Sequence, residues 1–136
     1  MKQDFFYVRL DKRYEQIAFD AIIYIRGKNG YIQIVTAERI YLVMNTLREV
    51  EKHLPKNLFC RIHHSYIVSL RRIKAFNVHQ VWLHEPSRKQ GLASITELPV
   101  GVHYRNLLKG SVIIMVNKSG GKSKARVSID SVHATR

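Results

Sequence analysis

The chain has 136 residues, 46% of them hydrophobic, which is enough to bury a core of its own and too apolar for a wholly disordered polymer. Its 23 lysines and arginines against 10 aspartates and glutamates give a net charge of +13, the electrostatic footprint of a protein that meets polyanions, nucleic acid first. A single cysteine excludes an intramolecular disulfide, the N-terminus lacks an apolar signal region, and the longest apolar run, Val112–Val116, falls far short of the roughly 20 residues of a membrane span. A soluble cytoplasmic protein without a membrane partner is expected. Residues 1–116 hold 18 basic and 9 acidic residues and residues 117–136 hold 5 and 1, so a basic folded domain over 1–116 is expected, followed by a flexible Ser-, Gly- and Lys-rich tail over 117–136.

The first half alternates as strands do. FFYVRL (Phe5–Leu10), a polar turn and YEQIAF (Tyr14–Phe19) form a plausible hairpin. DAIIYIRG (Asp20–Gly27) and YIQIVT (Tyr31–Thr36) flank a Lys28-Asn29-Gly30 turn, because Asn-Gly supplies the positive φ of a tight hairpin. AERIYLVM closes the series as another turn and strand. Between Asn45 and Leu54 the period changes to a helical stripe of Leu47, Val50 and Leu54, with Thr46 and Glu49 spaced as a capping box and Pro55 as a stop. Beyond it come the stretch FCRIHHSYIVSL (Phe59–Leu70), a strand pair over Lys74–His79 and Gln80–His84, and LASITELPV. A last helix is expected over Gly101–Lys109, with Tyr104, Leu107 and Leu108 on one face and Gly110 as its cap.

FCRIHHSYIVSL carries the residues that invite a chemical reading. Cys60 and His63 have acceptable zinc-ligand spacing, yet no second cysteine exists and the other histidines are scattered, so no metal or other cofactor is expected. In extended chain Cys60 and His63 point to opposite faces about 10 Å apart, too far for a nucleophile and its base. No carboxylate pair or phosphate-cradling loop appears, and no enzyme activity is expected. Read as a surface, Arg61, His64, Arg71 and Arg72 surround an apolar strand, Lys28 and Asn29 sit at a hairpin tip, and His103 and Arg105 at a helix start. Such donors suit base edges and phosphates.

RIHHSYIVSL followed by RRI resembles the R-x-H-R-S-Y-x-V-N-x-x-x-I motif of the LytTR family of bacterial DNA-binding domains. FDAIIYIRGKNGYIQIVT, NTLREVEKHLP and LPVGVHYRNLL are similar to further blocks of that family in the right order, and together they cover roughly Phe5 to Lys109. The resemblance implies a mainly β fold, an elongated stack of small antiparallel sheets with two short helices. It implies a transcriptional regulator that binds double-stranded DNA sequence-specifically through loops entering successive major grooves, and it leaves room for a homodimer on repeated half-sites. Mapped residue by residue, Lys28, Asn29, His64 and His103 are the base-reading candidates. Arg26, Ser65, Arg71, Arg72 and Arg105 are the phosphate candidates, and His63 is a structural residue. His64 stands where the family commonly has arginine or asparagine, Ser69 replaces an asparagine, Val102 an arginine and Arg26 a glutamate, so the preferred site is not inferable from relatives. A stand-alone domain without a receiver domain is expected, since the resemblance begins near residue 5. The alternative is a general binder of RNA or single strands, which would expose aromatics along a basic groove.

Overall fold

The computed structural model describes residues 3–86 and 93–117. Its elements are β1 (Phe5–Leu10), β2 (Arg13–Ala18), β3 (Ile22–Lys28), β4 (Tyr31–Thr36), β5 (Ile40–Met44), α1 (Leu47–Glu51), β6 (Phe59–His63), β7 (Tyr66–Ser69), β8 (Ile73–Phe76), β9 (Gln80–Pro86), β10 (Ala93–Pro99) and α2 (Arg105–Gly110). Short 3₁₀ turns occupy Phe19–Ala21, Leu70–Arg72 and Val102–Tyr104. The strands form three antiparallel sheets: β1-β2, a five-stranded sheet in the order β5-β4-β3-β7-β6, and β10-β9-β8.

The five-stranded sheet is apolar on both faces, and each face serves a separate core. On one side Ile25, Ile32, Ile34 and Ile67 meet Val8 and Ile17 of the β1-β2 hairpin and Leu47, Val50 and Leu54 around α1. On the other, Ile23, Cys60, Ile62 and Val68 meet Val81 and Leu83 of β9, Leu98 and Val100, and Leu108 of α2. A fully buried isoleucine stabilises by roughly 1.5–3 kcal/mol, so Ile22, Ile25, Ile32 and Ile34 of β3 and β4 anchor the first core, while Ile23 and Ile62 serve the second. Alternation alone sends Ile22 to the first core and Ile23 to the second, but it would then turn Ile25 away from Ile22. A bulge between Ile22 and Tyr24 lets Tyr24 pack with Ile23 against the second core and returns Ile25 to the first.

Several local expectations change. The α1 segment is shorter than its stripe, with turns carrying the chain to Leu54. Only half of the capping box forms: Thr46 Oγ1 accepts the Glu49 N–H at 3.1 Å, while the Thr46 N–H is satisfied by Asn45 Oδ1 at 2.8 Å. Asn77–His79 is a turn between β8 and β9 and not the end of a strand, because Asn77 Oδ1 accepts the N–H groups of His79 and Gln80. Gly110 is the last residue of α2 and no cap; Ser111 ends the helix. Leu107 is exposed and only Leu108 is buried, and the run Ile113–Val116 lies exposed without regular structure. The tail expected beyond residue 117 lies outside the described residues.

Candidate nucleic-acid interface

At the end of β3 the chain reverses in two residues. Lys28 pairs with Tyr31, and Asn29 and Gly30 take positive φ of 53° and 81°, the backbone that Asn-Gly prefers. Beside this tip lies a second one. β6 and β7 close at His63 opposite Tyr66, with His64 and Ser65 forming the loop. Neither loop residue has positive φ, so this turn is held by side chains. The Ser65 N–H donates to His63 Nδ1 at 3.0 Å. Arg61 donates from Nε to the His63 carbonyl at 2.9 Å, from Nη2 to the His64 carbonyl at 2.7 Å and from Nη1 to Glu51 Oε1 at 2.9 Å. Arg61, expected among the outward-facing cations, is largely inward.

Backbone bonds join the tips into one row. The Gly27 N–H donates to the Ser65 carbonyl at 2.9 Å, tying the first tip to the second. The Gly101 N–H donates to the Ile62 carbonyl at 2.8 Å, bringing the Val102–Tyr104 turn and its exposed His103 beside His63. The approach is close, since a Cβ at position 101 would stand 3.1 Å from the Tyr104 ring. The Val100 N–H donates to the His79 carbonyl at 2.8 Å, adding the β8-β9 turn to the row.

Of the base-reading candidates, Lys28, Asn29 and His64 line one shallow cleft of about 440 Å³ together with Ser65, Asn45 and Arg48. Asn45 and Arg48 were not legible as site residues. The only hint was that Arg48 lies off the Leu47-Val50-Leu54 stripe. Arg26 lies on the adjoining surface beside Lys28, Asn29 and Gln33. His103 stands farther along the row. His64 is exposed on a turn and not on extended strand as expected, while His63 is partly buried with its ring 5.5 Å from that of Tyr66. Burial, then the neighbouring His64 and Arg61, hold the His63 pKa below the usual histidine value.

Three phosphate candidates sit elsewhere or are engaged. Arg71 pairs with Asp20 Oδ1 at 3.0 Å and Arg72 donates to the Asp20 carbonyl at 3.0 Å. Asp20 precedes β3, so both arginines lie at the opposite end of that strand, roughly 20 Å from Lys28 at about 3.3 Å per residue. Arg105 donates from Nε to the Val78 carbonyl at 2.8 Å and thereby braces the β8-β9 turn. Cys60 is buried, its thiol pKa raised chiefly by that burial, with the Ser111 hydroxyl 3.6 Å from its sulfur. Among the described residues no group of three or more histidine, cysteine, aspartate or glutamate side chains could hold a metal ion, and no helix is long and apolar enough to cross a membrane.

Comparison with known proteins gives this row of tips a context. A solved LytTr DNA-binding domain from Bacillus cereus superimposes with a TM-score of 0.61 at 21% identity, covering 81% of this chain and 97% of that one. Sensory transduction protein LytT of Bacillus subtilis is 32% identical over 91 residues, 65% of this chain and 35% of its own length. Sensory transduction protein LytR of Staphylococcus epidermidis is 34% identical over 67 residues, 49% of this chain and 27% of its own. The matched part thus spans about a third of those relatives. The profile of the LytTr DNA-binding domain matches residues 12–112, and the chain belongs to that family.

Proposed function

We propose that this chain is a transcriptional regulator that binds double-stranded DNA sequence-specifically, with Lys28, Asn29, His64 and His103 reading base edges from loops placed in the major groove. The observation that carries this reading is the row of tips, joined by backbone hydrogen bonds and presenting side chains that make no hydrogen bond to other described residues. Two hairpin tips separated by two strand spacings stand about 10 Å apart, close to the width of a major groove. The Val102–Tyr104 turn extends the row along the duplex. Lysine recognises guanine, asparagine recognises adenine, and a neutral imidazole offers one donor and one acceptor. Arg26, Ser65 and Arg48 flank the readers and are suited to phosphates. Arg71, Arg72 and Arg105 are left out of the interface, since their guanidinium groups already serve protein carbonyls or Asp20.

Selection of bound duplexes from a random pool, at stated salt, tests the reading. A single preferred motif is expected. On it, His64→Ala should lose about 1–3 kcal/mol, the range of one base contact, with no loss on a scrambled duplex. His63→Ala should instead lower the thermal midpoint. Equal loss by His64→Ala on both duplexes would make His64 a phosphate contact, and a pool without a motif would refute sequence-specific binding.

A further inference from the structure

The two hairpin tips are built by different means. Asn29-Gly30 turns because its residues favour positive φ, so that tip carries its conformation in its own sequence. His64-Ser65 has neither glycine nor positive φ, and His64 cannot be supplied with a rigid backbone by turn chemistry alone. Something outside the loop must hold it. The carbonyls of His63 and His64, consecutive along the chain, both converge on one edge of the Arg61 guanidinium. Two successive carbonyl dipoles aimed at one point repel each other unless a cation stands there. A planar fork with parallel Nε–H and Nη2–H donors satisfies both at once, which an ammonium group on a flexible stem cannot do with the same directionality. The third arm of the guanidinium meets Glu51, and its carbon lies 5.8 Å from the centre of the Tyr104 ring. Arg61 lines the same cleft as His64, yet its side chain is 13% exposed against 44% for Glu51, so little of the cation reaches that surface.

We propose that Arg61 is a positioning residue: its guanidinium fixes the His64-Ser65 loop, and through Glu51 and Tyr104 sets that loop against α1 and the Val102–Tyr104 turn, without itself contacting DNA. The inference rests on the reading of His64 as a base reader. Its function would be to spare His64 the entropy of ordering a loop at the moment of binding, so that its removal costs discrimination more than affinity.

The test uses the full chain carrying Arg61→Lys, and Glu51→Ala in parallel. In the free protein, amide hydrogen exchange at Gly27 and Ser65, whose N–H groups bond the Ser65 carbonyl and His63 Nδ1, should quicken about tenfold in Arg61→Lys, while Ile25 and Ile34 stay protected. The affinity ratio between the selected duplex and a scrambled one should fall about tenfold, with scrambled-duplex affinity unchanged. Glu51→Ala, which removes one arm of the guanidinium from a half-exposed position, should shift both readouts in the same direction by about threefold and serves if Arg61→Lys does not fold. Equal loss on both duplexes would assign Arg61 to phosphate contact and overturn the proposal. Exchange quickened at every amide would assign it to the fold alone, and unchanged exchange at Gly27 and Ser65 would overturn it as well. A wild-type chain that selects no motif sinks the base-reading function, yet the exchange measurement still decides whether Arg61 holds the loop.

Discussion

The two ends of β3 are both basic, and they differ in what their donors are doing. At the Asp20 end, Arg71 and Arg72 are spent on one carboxylate and one carbonyl. At the Lys28 end, backbone bonds and the Arg61 guanidinium connect the neighbouring loops, and the side chains of Lys28, Asn29 and His64 bond to no other described residue. A count of positive charge scores both ends alike. Occupancy of the donors separates them, and it places the candidate interface at one end of the sheet.

The largest expected effect probes how tightly the outward end is packed. A Cβ at Gly27 would lie 2.7 Å from Leu47 Cγ and 3.0 Å from Leu47 Cδ1, both on a buried side chain. Gly27→Val should therefore cost about 1–3 kcal/mol in urea denaturation, the usual cost of overpacking. Because α1 and the first tip must part to admit it, selectivity for the preferred duplex should fall with it; full selectivity in a destabilised variant would show that the tip moves independently of α1.

A smaller effect contrasts the two ends directly. Arg48→Ala, at the Lys28 end, should reduce the salt slope of DNA binding by about one unit, the signature of one lost phosphate cation, and weaken binding to every duplex. Arg71→Ala should leave the slope unchanged. Binding titrations between 50 and 200 mM salt read both, and equal slopes for the two variants would show that the two ends meet DNA alike.

The smallest effect concerns pH. Since folding depresses the His63 pKa, the unfolded chain takes up the proton more readily. Stability from this group is fully present above the unfolded value near 6.5 and is lost as pH falls through the lower folded value. The thermal midpoint should decline between pH 7 and pH 5 more steeply in the wild type than in His63→Gln, whose side chain does not titrate. Parallel declines would mean that folding leaves the His63 pKa unshifted.

Much of this architecture was legible in the chain. The Asn29-Gly30 turn and the Leu47-Val50-Leu54 stripe each follow from a local rule, and the structure keeps both. What was not legible depends on partners distant in sequence. Nothing near Arg71 announces Asp20, fifty-one residues away. Nothing near Arg61 announces that its guanidinium turns back onto its own hairpin. The bulge at Ile22/Tyr24 reads only as continuous strand until the second core takes Ile23 and Tyr24 together. The base-reading candidates came from family resemblance; the grouping of Lys28, Asn29 and His64 with Asn45 and Arg48 came from the sheet.

The backbone bonds from Gly27 to Ser65, Gly101 to Ile62 and Val100 to His79 leave the neighbouring side chains out of the framework. Positions 28, 64 and 103 are therefore open to exchange without a change of scaffold. In evolutionary terms, a lineage could retarget this domain by drifting at a few loop residues while the sheet stays constant. In engineering terms, those positions form a compact library, with Gly27, Arg61 and Gly101 held fixed as its chassis.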